Sequence, residues 1–247
     1  MHLFSRRGSN FSLLLLFAAW SGLTVGNAQG AGVSQGNTPT VESYRAGLKS
    51  IVIPSPTDEL SEMGSDYRVL IETLVPATNR LVAAFTRPDD IQTVLVGADR
   101  PLPKYALVEI LRRAEFADMD EKIFKTVADN MGSQFGATLD SGMKNAQEDL
   151  NRNLKQLNPD AAGISLDKPL LLGTLFVKKD VCSFGAIMPV SAKGVTTRMV
   201  MEMTLLRVQN RLLFLYFYNA YKDESTAQWV RKTSEQWADA ILTANKQ

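Results

Sequence analysis

Glu109 and Glu202 are the carboxylates whose surroundings most invite chemistry. Each falls inside a run that reads as a β-strand, Glu109 alternating with Leu107 and Leu111, Glu202 with Val200 and Leu206. A carboxyl among apolar side chains is pushed towards its protonated form, so such a pair could divide general-acid and general-base roles in a hydrolase. That requires the two groups to stand about 5–10 Å apart. Nothing in the sequence brings them together. The plainer account pairs each with a cation, Arg112, Arg198 or Arg207, at the sheet surface or rim.

Four further groups have a chemical and a structural reading. Met199, Met201 and Met203 alternate along one strand face, with Met188 on the preceding strand. Thioethers suit Cu(I), but residues i and i+2 lie about 6.6–6.8 Å apart along a strand, and packing under a helix explains the alternation unaided. Cys182 alternates with Phe184 and points to the core. Only Lys178 or Lys179 could lower its pKa into a reactive range. Tyr216, Tyr218 and Tyr221 with Trp229 could form an aromatic ligand shelf, Tyr218 and Tyr221 lying nearest the strand end; sheet-to-helix packing is the plainer account. Asp118 and Asp120 hint at a carboxylate metal site, yet no calcium-binding loop surrounds them, and Asp118 with Glu121 three residues on reads as a helix cap. No cofactor is implied.

The one histidine is His2, within a leader-like segment. Arg6 and Arg7 precede an apolar run from Phe11 to Trp20, and Gly26-Asn27-Ala28 sets small residues at −3 and −1 of a cleavage point. Residues 1–28 therefore read as a signal peptide, too short in its apolar run to span a bilayer. The product is expected to be periplasmic or secreted after cleavage near Ala28, with no membrane span remaining. The cleaved chain keeps no imidazole, which excludes Ser-His-Asp and Cys-His machinery and histidine metal ligands. With 27 basic against 26 acidic residues there is no electrostatic case for a nucleic-acid partner.

Residues 29–43 read as a Gly/Ser/Asn-rich linker, whose Gly30, Gly32 and Gly36 miss the dinucleotide-binding spacing. Residues 44–247 read as one domain. Strands are expected at 48–53, 80–86 and 104–111, followed by a helix from Asp118 with Ile123, Phe124, Val127 and Met131 on its buried side. A second helix is expected from about Ser141, with Met143, Ala146, Leu150, Leu154 and Leu157 as its seam and Asn158-Pro159 as its stop. Two hairpins follow, 170–177 with 181–190 and 197–208 with 212–221. The run LLFLYFY at 212–218 is apolar on both faces and must be covered on both. Ser225 and Gln228 form a capping box for a C-terminal helix burying Val230, Trp237, Ile241 and Ala244. Together these predict an α+β fold, an antiparallel sheet of six or seven strands with helices on both faces.

The block RLLFLYFYNAYKDESTAQWVRKTSEQWADAILTAN (211–245), with IVIPSP (51–56) and PKYALVEI (103–110), resembles exported bacterial proteins of the PsbP-like group. The resemblance implies an α/β/α sandwich that serves as a binding or assembly-accessory domain without catalysis. The expected partner is then an envelope protein or a small ligand.

Overall fold

The computed structural model describes residues 43–64, 68, 71–72, 75–90, 102–157, 163–192 and 194–246. The signal peptide and nearly all of the linker lie outside the described residues; Ser43, placed in the linker by its composition, already pairs with Val52. A small hairpin comes first, β1 (Ser43–Ala46) with β2 (Lys49–Val52). Its turn needs Gly47, which has φ +59°; a Cβ there would stand 2.4 Å from the Glu115 carbonyl oxygen. The expected strand at 48–53 is thus one arm of a separate hairpin.

The main sheet holds eight strands, one or two more than expected, and every pairing is antiparallel. They are β3 (Ser61–Glu62), β4 (Asn79–Thr86), β5 (Lys104–Leu111), β6 (Ile164–Leu166), β7 (Leu170–Lys178), β8 (Val181–Ala192), β9 (Val195–Val208) and β10 (Arg211–Ala220). Their order is β3-β4-β5-β10-β9-β8-β6, with β7 also paired to β8. The additions, β3 and β6, are only two and three residues long, too short for a period of two to register. The turn from β9 to β10 sets Gln209 and Asn210 at positive φ, as a two-residue hairpin turn matched to strand twist requires.

Strand alternation sorts the sheet into two apolar clusters. Leu107, Met201, Met203, Phe214 and Tyr216 join one; Ala106, Val108, Leu206, Leu213 and Phe217 join the other. Helix α1 (Glu121–Leu157) supplies Phe124, Val127, Met131, Phe135, Leu139, Met143 and Leu150 to the first, while α2 (Glu224–Ala244) supplies Val230, Trp237, Ala238 and Ile241 to the second. Because β10 lies between β5 and β9 with both of its faces buried, LLFLYFY has no polar side.

α1 is one helix of 37 residues where two were expected. The stretch between the two expected helices, with Gly132 and Gly136, is no break: the apolar stripe runs on through Phe135 and Leu139 at helical spacing. Gly136 marks a close approach instead: a Cβ there would lie 2.8 Å from Leu171 Cδ1 of β7. Of the expected second-helix seam, Met143 and Leu150 are buried; the side chains of Ala146, Leu154 and Leu157, and the Pro159 stop, lie outside the described residues.

Both helix starts differ from expectation. Asp120, not Asp118, caps α1, its carboxylate accepting from Ile123 N at 2.7 Å. Asp118 is held by Arg211 Nη1 at 2.7 Å, a contact across 93 residues that no local motif reveals. Asp223 caps α2 by accepting from Thr226 N at 3.2 Å, and Ser225 donates to that same carboxylate at 2.6 Å rather than forming a box with Gln228. Ala244 is exposed. The far end of α2 is tied down by Asn245, whose amide pairs with both backbone groups of Val52 at 2.9 and 2.7 Å, and by Trp237 Nε1 donating to the Pro54 carbonyl at 2.7 Å. Among the described residues no helix is long and apolar enough to cross a membrane.

Candidate functional site

Glu109 and Glu202 are both sealed in the interior, at 0% and 1% exposure. Glu109 shares strand parity with Leu107 and Leu111 of the first cluster; Glu202 shares it with Val200 and Leu206 of the second. They therefore project to opposite sides of the sheet. In register, Glu109 lies opposite Phe214 and Glu202 opposite Phe217. The backbones are thus about 10 Å apart across two strand spacings and about 10 Å apart along the strands. The paired-acid arrangement is not assembled.

The expected cations are not their partners either. Asn79 Nδ2 donates to Glu109 Oε2 at 2.6 Å, and Oε1 has no hydrogen-bond partner. Burial pushes the Glu109 carboxyl up to about 7, the Asn79 bond opposing it. On the other face Ser183 Oγ donates to Glu202 Oε1 at 2.5 Å and itself accepts from Thr204 Oγ1 at 3.1 Å. Ser234 of α2 lies beside the same carboxyl, yet neither Ser234 Oγ nor Glu202 Oε2 closes a regular hydrogen bond. Burial raises Glu202 to about 8, offset in part by Ser183 and the charge of Arg231. Arg207 instead pairs with Asp180, and Arg112 donates Nε to the Asn79 carbonyl at 2.8 Å.

The methionines belong to the first cluster, Met188, Met199 and Met201 at 0% exposure and Met203 at 2%. Cys182 is buried there too, and burial pushes its thiol up to about 11. The aromatic shelf is divided between the two faces. Tyr218 is buried and stacks on Tyr105 with centroids 4.5 Å apart. Tyr221 and Trp229 pack against the opposite cluster, Trp229 edge-on to Phe217 at 5.6 Å with Lys104 Nζ 4.3 Å above its ring. Asp118 and Asp120 are separated by their roles, one on Arg211 and one on the α1 N-terminus. Among the described residues no three His, Cys, Asp or Glu groups gather as a metal site.

A feature the sequence does not announce lies at the start of β4. A cavity of about 390 Å³ opens between the Pro76-Ala77 turn, Asn79–Leu81, Arg112 at the end of β5, and Asp149–Asn153 of α1. Its wall carries three guanidinium groups, Arg80, Arg112 and Arg152, drawn from three distant segments. Arg80 holds Glu115 through Nε at 3.2 Å and Nη2 at 2.5 Å, and that contact keeps the Glu115 carboxyl below its ordinary range. Arg152 pairs with Asp149. Asn79, also in the wall, connects the cavity to buried Glu109.

No protein-family model matches the sequence, and no curated protein matches it. Among solved structures the chain is similar to the Ran-binding protein Mog1p of Saccharomyces cerevisiae, with 10% identity over 83% of this chain and 95% of that one, TM-score 0.31. It is similar also to PsbP (CyanoP) of Synechocystis sp. PCC 6803, with 9% identity over 86% of this chain and 96% of that one, TM-score 0.31.

Proposed function

We propose that this chain is an exported, non-catalytic binding protein, a PsbP-like α/β/α sandwich that is cleaved near Ala28 and takes a small ligand in the cell envelope. One contrast supports the reading. The side chains able to do acid–base, thiol or thioether chemistry (Glu109, Glu202, Cys182 and the methionines) are packed inside the two clusters, whereas the cavity is walled by arginines of which Arg112 and Arg152 are exposed. Buried groups on opposite faces of a sheet cannot act on one substrate; a polar concavity of this size can hold a small molecule through a few placed donors.

Native mass spectrometry of the protein purified from the cell envelope tests this. The expected spectrum shows a chain beginning at Gln29 with a non-covalent adduct that is lost on denaturation. A chain that retains residues 1–28, or a cleaved chain that carries no adduct, would overturn the reading.

A further inference from the structure

We propose that the cavity at the start of β4 binds a compact oxyanion, a carboxylate or phosphate group, with Arg112 as its principal contact. The inference rests on the binding reading above and names the ligand class.

The charges in the cavity wall decide the sign of the ligand. Of its acids, Glu72 is taken by Arg68 at 3.3 Å and Asp149 by Arg152. Arg80 is committed to Glu115. Arg112 is different: its charge helps to lower the Glu115 carboxyl, but from beyond contact. Among the described residues no carboxylate comes within ion-pair distance of its guanidinium, whose one hydrogen bond is Nε to the Asn79 carbonyl. That bond fixes the plane of the group and leaves both Nη donors for a ligand in the cavity it lines. A fixed guanidinium with two free donors matches the forked oxygens of carboxylate or phosphate. Arg152 can join it, because its partner Asp149 lies three residues away on the same helix, an arrangement that holds a side chain only weakly.

Asn79 supports this placement. Its amide is occupied on both sides, donating to Glu109 at 2.6 Å and accepting from Thr78 Oγ1 at 3.1 Å. The carbonyl that anchors Arg112 therefore belongs to a residue fixed by buried contacts. The cavity has room for a ligand larger than the oxyanion itself, so the anion is the anchored end.

Isothermal titration of the full chain with inorganic phosphate, and separately with succinate, tests the proposal. At least one of the two should bind saturably at 1:1, and the one that does distinguishes a phosphate from a carboxylate ligand. Arg112→Gln should weaken that binding by about tenfold or more. Arg113→Gln, on the same turn but outside the cavity wall, should leave it unchanged. Arg112 is exposed, so the variant should melt with the wild type, and Arg152→Gln should weaken binding by a smaller factor. Absence of saturable binding by both anions, or equal affinity in Arg112→Gln, would overturn the inference. An adduct on the envelope-purified protein combined with no binding of either anion would refute the oxyanion while leaving the binding reading in place.

Discussion

Glu109 and Glu202 stand on strands separated only by β10, yet their carboxyls enter opposite apolar clusters, one held by Asn79 and the other by Ser183. On sequence alone the two acids read as cation-paired at the sheet surface or rim, with a catalytic pair as the alternative. Here each is a private polar group within a separate layer, which changes what their titration does.

Both carboxyls have folded pKa values above the ordinary 4.5, about 7 for Glu109 and about 8 for Glu202. The folded chain keeps protons that the unfolded chain releases, so each group makes stability fall as pH rises from about 4.5 to its folded pKa. The slope is about 1.4 kcal/mol per pH unit for each group. Between pH 5 and 7 the two slopes add; Glu202→Gln or Glu109→Gln should each remove about half of the combined fall in urea-denaturation free energy. An unchanged pH slope in both variants would contradict the assignment.

The longer strands were legible because apolar runs rich in branched and aromatic residues, bounded by proline or turn residues, mark them even where both faces are buried: β5, β7, β8, β9 and β10 lie within a few residues of their expected positions. The methionine alternation likewise has its counterpart in one buried row. What was illegible depends on contacts distant in sequence. Asp118 reads as a cap until Arg211 takes it, and α1 reads as two helices until the stripe through Phe135 and Leu139 meets the sheet. The cavity joins residues near 79, 112 and 152, and no motif spans such gaps.

The glycines at two close approaches should respond in opposite directions. Gly47→Ala forces a Cβ against a backbone oxygen at positive φ, and should cost about 1–3 kcal/mol in the urea-denaturation free energy. Gly136→Ala meets only the terminal methyl of Leu171, which is 44% exposed and free to turn away. Its gain in helix propensity, up to about 1 kcal/mol, should leave the chain as stable as before or more so.

The buried methionine row should behave as packing. Replacing Met199, Met201 and Met203 together with Leu conserves volume, and each exchange should cost less than about 1.5 kcal/mol. Titration with Cu(I) should show no micromolar site in the wild type. Tight binding lost in the triple variant would contradict this.

Cys182 should react slowly with thiol reagents in the native protein, because burial both shields it and raises its pKa to about 11. Labelling should accelerate to the rate of an ordinary cysteine in urea. Rapid labelling of the native chain would show an open route to the first cluster.

The most direct measurement is heteronuclear NMR of the arginine Nε–Hε signals during phosphate and succinate titrations. The Arg112 signal should shift saturably, with a smaller shift at Arg152, while Arg113 and Arg45 stay in place. Shifts scattered over exposed arginines, or none at Arg112, would contradict a ligand site in the cavity.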